Sequence, residues 1–212
     1  VGRGAGAVAT NTAVGASALA ANSTGSSTTV FGYQAGAVSN ANDNTLIGTQ
    51  SGLTLTGASN TAVGAATLGR NAGSTTGVSN AAFGLYSLTF LTTGSYNTAY
   101  GQDTLRSNTT ASNNTAVGYQ AGYTNQTGSY NTFMGVSAGR LSNYNGNAFN
   151  AAYGYASGYN LSTGINNSFY GTNSGSEVTS GSKNTIIGNY NGNQGGLDIR
   201  TASNYIVLSD GD

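Results

Sequence analysis

The chain has 212 residues, six Lys and Arg against six Asp and Glu, and no net charge. So few cations exclude a nucleic-acid binder, which needs a basic patch to displace counterions. Without His or Cys there is no Ser-His or Cys-His nucleophile, no Cys/His zinc centre and no disulfide.

Charged residues make up 6% of the chain, against roughly 25% in an ordinary domain. Glycine appears 34 times, and Pro and Trp are absent. No apolar run approaches the roughly 20 residues that span a bilayer, so no membrane insertion is expected. The first residue is Val, so the natural start is expected to lie upstream.

From the N-terminus onward one word recurs: NTAVG at Asn11, NTLIG at Asn44, NTAVG at Asn114, NTFMG at Asn131 and NTIIG at Asn184. Aligned on its Gly, it gives eleven copies: Gly15, Gly32, Gly48, Gly64, Gly84, Gly101, Gly118, Gly135, Gly154, Gly171 and Gly188. Most spacings are 16 or 17 residues, with stretches of 20 and 19 before Gly84 and Gly154. A period this short means stacked supersecondary units. It is too short for a helix pair and fits one coil of a parallel β-solenoid, with two short strands and two turns. The fold class is all-β. Residues 1–194 form the solenoid and residues 195–212 a non-repeat β segment, a cap or a change of fold.

Two apolar columns precede the repeat Gly. The first holds Val14, Phe31, Ile47, Val63, Phe83, Tyr100, Val117, Met134, Tyr153, Tyr170 and Ile187. These are large, and they are expected to point into the coil as its core column. One residue earlier stand smaller groups, from Ala13 through Ala116 to Ile186. Neighbouring strand residues face opposite ways, so a strand apolar on both faces needs cover on both. One coil cannot stand alone: a large buried side chain gives roughly 1.5–3 kcal/mol, whereas backbone ordering costs about 1–2 kcal/mol per residue. Association with further copies of the chain is therefore expected.

The polar columns have physical roles. An Asn stands three residues before the large apolar position in ten coils, from Asn11 to Asn184, with Thr28 as the exception. Stacked amides there are expected to bond along the stack. Four residues after the repeat Gly stands Leu (Leu19, Leu68, Leu88, Leu105) or Gly, and from Gly122 onward always Gly. A tighter corner is expected in that half. The longer gaps, near 71–79 and 143–150, read as loops pushed outward.

The acids outside the C-terminal segment are Asp43, Asp103 and Glu177, in separate coils, too scattered for a paired-carboxylate glycosidase. No enzyme activity, cofactor or metal is expected. A Thr column from Thr12 to Thr185 is a single rank, broken by Ala81, Ala151 and Ser168, which weighs against a flat ice-binding grid. Tyr33, Tyr119 and Tyr155 follow the repeat Gly, and Tyr123 and Tyr159 follow the second Gly. Facing out, these five would be platforms for sugar rings; the alternative is that they pad turns or chain contacts.

The NTxxG coils, with YQAG after the word at Tyr119 to Gly122, resemble those of bacteriophage tail-fibre proteins of marine and cyanobacterial phages. They are similar to the head repeats of trimeric autotransporter adhesins. The segment NYIVLSDGD (Asn204 to Asp212) resembles the stretch before the self-cleaving intramolecular chaperone of phage fibres. The resemblance implies a parallel homotrimer, a virion or extracellular location, and a structural and attachment role: a rigid spacer that contacts a host-surface polysaccharide or other receptor. It also implies that residues 195–212 are the junction to a removed or missing chaperone domain. A bacterial surface adhesin head and a self-assembling extracellular filament remain the alternatives.

Overall fold

The computed structural model describes residues 2–70 and 73–210 and shows an all-β parallel solenoid of about twelve coils. The elements are β1 (Thr12–Val14), β2 (Thr29–Phe31), β3 (Thr45–Ile47), β4 (Thr61–Val63), β5 (Ala81–Phe83), β6 (Thr98–Tyr100), β7 (Thr115–Val117) and β8 (Thr127–Ser129). They continue as β9 (Thr132–Met134), β10 (Asn145–Asn147), β11 (Ala151–Tyr153), β12 (Ser168–Tyr170), β13 (Thr185–Gly188), β14 (Asn193–Gln194), β15 (Leu197–Asp198) and β16 (Ile206–Ser209). Twelve of them form one parallel sheet, in the order β1-β2-β3-β4-β5-β6-β7-β9-β11-β12-β13-β16. Register follows the repeat: Ala13 lies beside Val30, Val30 beside Leu46 and Ala116 beside Phe133. At ~4.8 Å per coil the sheet is roughly 50 Å long.

Most coils have one regular strand rather than the two expected; the coils of β7 and β9 add a second, β8 and β10. The other run still hydrogen-bonds to the next coil, as from Leu19 N–H to Ala35 C=O and Leu105 N–H to Ala121 C=O. Left-handed residues interrupt it, so it cannot pleat. In the coil of β6, Asp103 has φ 56° and Leu105 φ 46°.

The column facing the interior is the smaller one. Ala13, Val30, Leu46, Ala62, Ala82, Ala99, Ala116, Phe133, Ala152, Phe169 and Ile186 are buried. The large column expected to be the core, namely Val14, Phe31, Ile47, Val63, Phe83, Tyr100, Val117, Met134, Tyr153, Tyr170 and Ile187, lies on the outer face of the sheet. Phe31 and Tyr100 are each 58% exposed. Alternation shows that the two columns face opposite ways, not which one faces in. The interior is narrow, and every coil also sends the second anchor and the residues beside it inward, so the strand has room only for what they leave.

That space is shared by volume exchange. Where the strand centre is Ala, as in Ala62, Ala82 and Ala99, the anchor is Leu68, Leu88 or Leu105, each fully buried. Where the strand centre is Leu46, Phe133 or Phe169, the anchor is Gly52, Gly139 or Gly175, and a Cβ there would overlap that large side chain. Ala116 and Gly122 are both small, and Leu105 and Phe133 from the neighbouring coils fill the gap. The expected tighter corner is absent: Leu105 and Gly122, with φ 46° and 61°, share one conformation.

The Asn column clamps each coil to the next. Asn97 Oδ1 accepts from Asn114 N–H at 3.0 Å and from Asn114 Nδ2 at 3.2 Å. Asn97 Nδ2 donates to Ala111 C=O at 2.9 Å, closing its own coil. Ten Asn of this column are buried. At the exception, Thr28 Oγ1 donates to Ala41 C=O at 3.1 Å and accepts from Asn44 N–H. The repeat Gly is fixed by proximity as well as conformation. Gly118 has φ +126°, and a Cβ there would lie 2.6 Å from Gly135 C=O.

The loop at 143–150 does not simply project outward. β10 pairs with β8, and Tyr144 turns in and is buried. Residues 71 and 72 of the other long gap, and residues 211 and 212 of the C-terminal segment, lie outside the described residues. After β13 a small antiparallel hairpin of β14 and β15 departs from the repeat. β16 then rejoins the main sheet as a twelfth strand, with Val207 beside Ile186 and Leu208 beside Ile187.

Candidate interaction surfaces

The outer face of the long sheet carries two parallel columns, Thr at strand starts and large apolar residues at strand ends. Side chains two apart share a face, and no element of the described chain covers this one. The apolar column runs from Val14 to Ile187 and on to Leu208. In it Phe83 stacks on Tyr100 with centroids 5.4 Å apart, and Tyr153 on Tyr170 at 4.9 Å. Val63, Phe83 and Tyr100 line an open notch of about 270 Å³. In the twelfth coil Ile206 takes the Thr position, so both columns become apolar, and Ile206 and Leu208 are 79% and 75% exposed. A face of roughly 50 Å by one three-residue strand, about 10 Å, covers some 500 Å², of which the apolar column is about half and the Thr column the rest.

The five tyrosines expected to meet sugars fall into two groups. Tyr33, Tyr119 and Tyr155 are exposed, immediately after the repeat Gly. Tyr119 and Tyr155 flank Val136 in one column, whereas Tyr33 stands five coils away. Tyr123 and Tyr159 are half-buried and belong to a different assembly, built on arginine.

Arg106, Tyr123, Arg140 and Tyr159 occupy the same coil position in four successive coils. The Arg106 guanidinium lies 5.0 Å from the Tyr86 ring centre, 5.7 Å from Phe90 and 5.8 Å from Tyr123. That of Arg140 lies between Tyr123 at 5.5 Å and Tyr159 at 5.6 Å. Arg106 Nη1 donates to Tyr123 Oη at 3.1 Å, and Arg140 Nη1 to Tyr159 Oη at 2.7 Å. Arg140 Nε donates to Gln120 Oε1 at 2.8 Å. The result is an alternating cation–aromatic ladder, each contact worth about 0.5–1 kcal/mol at an exposed site. The arginines and Gln120 were absent from the sequence-based candidates. The signal was present: Arg106, Tyr123 and Arg140 are spaced by 17, the repeat period.

The two arginines differ electrostatically. Arg106 pairs with Asp103 at 3.3 Å, and Asp103 is buried. Among the described residues no carboxylate pairs with Arg140; the other ion pair joins Arg200 to Asp198 at 2.8 Å on the exposed end of the hairpin. There the Arg200 guanidinium, by hydrogen bond, holds the Asp198 carboxyl below its ordinary range. Asp43 is exposed before β3, and Glu177 Oε1 accepts from Asn191 Nδ2 at 3.1 Å. Asp43, Asp103 and Glu177 thus lie in separate coils, as the spacing indicated. Among the described residues no three acidic side chains gather as a metal site, and no helix is long and apolar enough to cross a membrane.

No protein-family model, curated protein or solved structure matches the chain.

Proposed function

We propose that the chain is one strand of a parallel homotrimeric rod that acts as a structural spacer in an extracellular attachment fibre, of the phage tail-fibre kind, and meets a host-surface glycan along its side. The observation that carries this reading is the outward column of large apolar side chains, Val14 to Ile187. It repeats at every coil, it lies on one face of the twelve-stranded sheet, and no strand of the described chain covers it. Phe31, Ile47, Tyr100, Met134, Tyr170 and Ile187 are exposed and the other five half-buried; full burial of an exposed one regains up to roughly 1.5–3 kcal/mol, so the column favours a lasting partner. A second copy in the same register fits best, because its column has the same spacing, coil for coil. The near absence of charge on this face removes the repulsion that would oppose like-with-like contact.

The test is the mass of the native particle by light scattering, before and after heating in detergent. Three chains, resistant to heat, are expected. A stable monomer overturns the reading. A polymer that grows with time replaces it with a self-assembling filament. A trimer found beside a membrane-anchor β-barrel and coiled-coil stalk in the same gene moves the rod to a bacterial adhesin.

A further inference from the structure

We propose that Arg140 is an anion site that takes the carboxylate or sulfate group of an acidic saccharide. The proposal rests on the attachment reading above and names the ligand class of its side surface. Arg140 is held from three directions, by Gln120 at Nε, by Tyr159 at Nη1 and by the Tyr123 and Tyr159 rings on either side. A guanidinium carries five N–H donors in a planar fork, and these contacts engage only part of it. Held between rings it is weakly hydrated and pre-organised, so pairing it with a carboxylate or sulfate costs little desolvation or ordering. It has no carboxylate of its own among the described residues, unlike Arg106 two coils away, which Asp103 neutralises.

The surroundings select the kind of anion. Nucleic acid presents a row of phosphates, and this face offers one unpaired cation. A saccharide brings one charge per ring among many hydroxyls. Exposed Tyr119, next in the chain to Gln120, and Tyr155, four residues before Tyr159, supply ring faces and phenol groups on the same coils. The coil spacing of ~4.8 Å is close to the length of one sugar ring, so a chain lying along the ladder stays in step with it.

The experiment measures binding of polygalacturonate, dextran sulfate and neutral dextran to the native particle at low and high salt, with particle mass recorded for each variant. Binding of at least one anionic polymer and not of neutral dextran is expected. The two anionic arms separate a carboxylate from a sulfate source. Arg140→Gln is expected to lower affinity at least tenfold at unchanged particle mass, and Lys183→Gln, the same charge change in a distant coil, less than twofold. Asp103→Asn releases Arg106 and is expected to raise affinity several-fold, an opposite sign that loss of folding cannot imitate. Equal losses for Arg140→Gln and Lys183→Gln, equal binding of neutral dextran, or no binding of either anionic polymer overturns the site. A monomer that still binds through Arg140 overturns the trimeric rod and leaves the site standing.

Discussion

At the residue scale the fold depends on contacts that permit little substitution. The repeat Gly is the clearest. Gly118→Ala would place a Cβ 2.6 Å from Gly135 C=O, at a φ of +126°. A loss of roughly 2–4 kcal/mol is expected from strain and overlap together, read by chemical denaturation. Gly73, which has no atom of the described residues within 4 Å of its absent Cβ, should accept Ala within about 1 kcal/mol. The Asn clamp carries a second prediction. Asn97→Ala leaves the buried Asn114 N–H without its acceptor, while Ala111 C=O keeps Asn108 Nδ2 and Asn114 Nδ2 keeps Ser112 C=O, at about 1–3 kcal/mol for the unsatisfied group. Asn97→Thr should cost less, because Thr28 already shows a hydroxyl serving in that column. Tyr144 supplies a pH dependence. Burial raises its hydroxyl far above the ordinary 10.0, while its hydrogen bond to Ser142 opposes the shift. The folded state therefore holds a proton that the unfolded state releases. That stability is complete below pH 10 and is lost as pH rises beyond it, by about 1.4 kcal/mol per unit. Tyr144→Phe should abolish this part of the slope in stability measured between pH 9 and 11.

At the scale of the coil, strand centre and second anchor act as one packing unit. Phe133→Ala should cost about 3–5 kcal/mol through the cavity it opens. Adding Gly139→Leu should recover part of that, because the pair then matches Ala99 with Leu105, a combination the chain already packs. A double-mutant cycle with no coupling would show that the two positions fill separate spaces. This exchange was readable in the sequence in part: every Leu anchor goes with Ala, and both Phe centres go with Gly, while Ala116 and Ala152 stand with Gly122 and Gly158. The period, the strand positions and the role of Asn were readable too, because each rests on spacing alone. The inward face was not. Side-chain size suggested that Phe31 or Tyr100 belonged inside, but how much room the interior has depends on how Leu19, Leu88 and their counterparts fill it. The arginine ladder was hidden differently: it joins residues from four coils, and Tyr123 and Tyr159 show their role only beside the cations between them.

At the scale of the whole molecule one long face remains to be covered. Phe31→Lys with Met134→Lys places two charges on that face, and both positions are exposed in the single chain. The coil should fold as before, by far-UV circular dichroism, while the particle falls to one chain. A particle that keeps its mass would put the contact elsewhere. The sheet also explains how the rod tolerates irregular coils. Each coil bonds only to its neighbours, so the extra residues before Gly84 and Gly154 disturb their own loops and leave the register intact. β16 shows the same tolerance, re-entering the sheet after the hairpin with Leu208 beside Ile187.

The hydrogen bonds between coils all run along the rod, and this decides how it bears load. A pull on the two ends of one chain opens those bonds a coil at a time rather than shearing them together. Each released coil of 17 residues lengthens the tether by up to ~60 Å. A single chain in an optical trap should therefore extend in a regular staircase at low force, and a laterally joined bundle should hold until far higher force. Rigidity under tension would then come only with the proposed lateral association, and the lone chain is a spring.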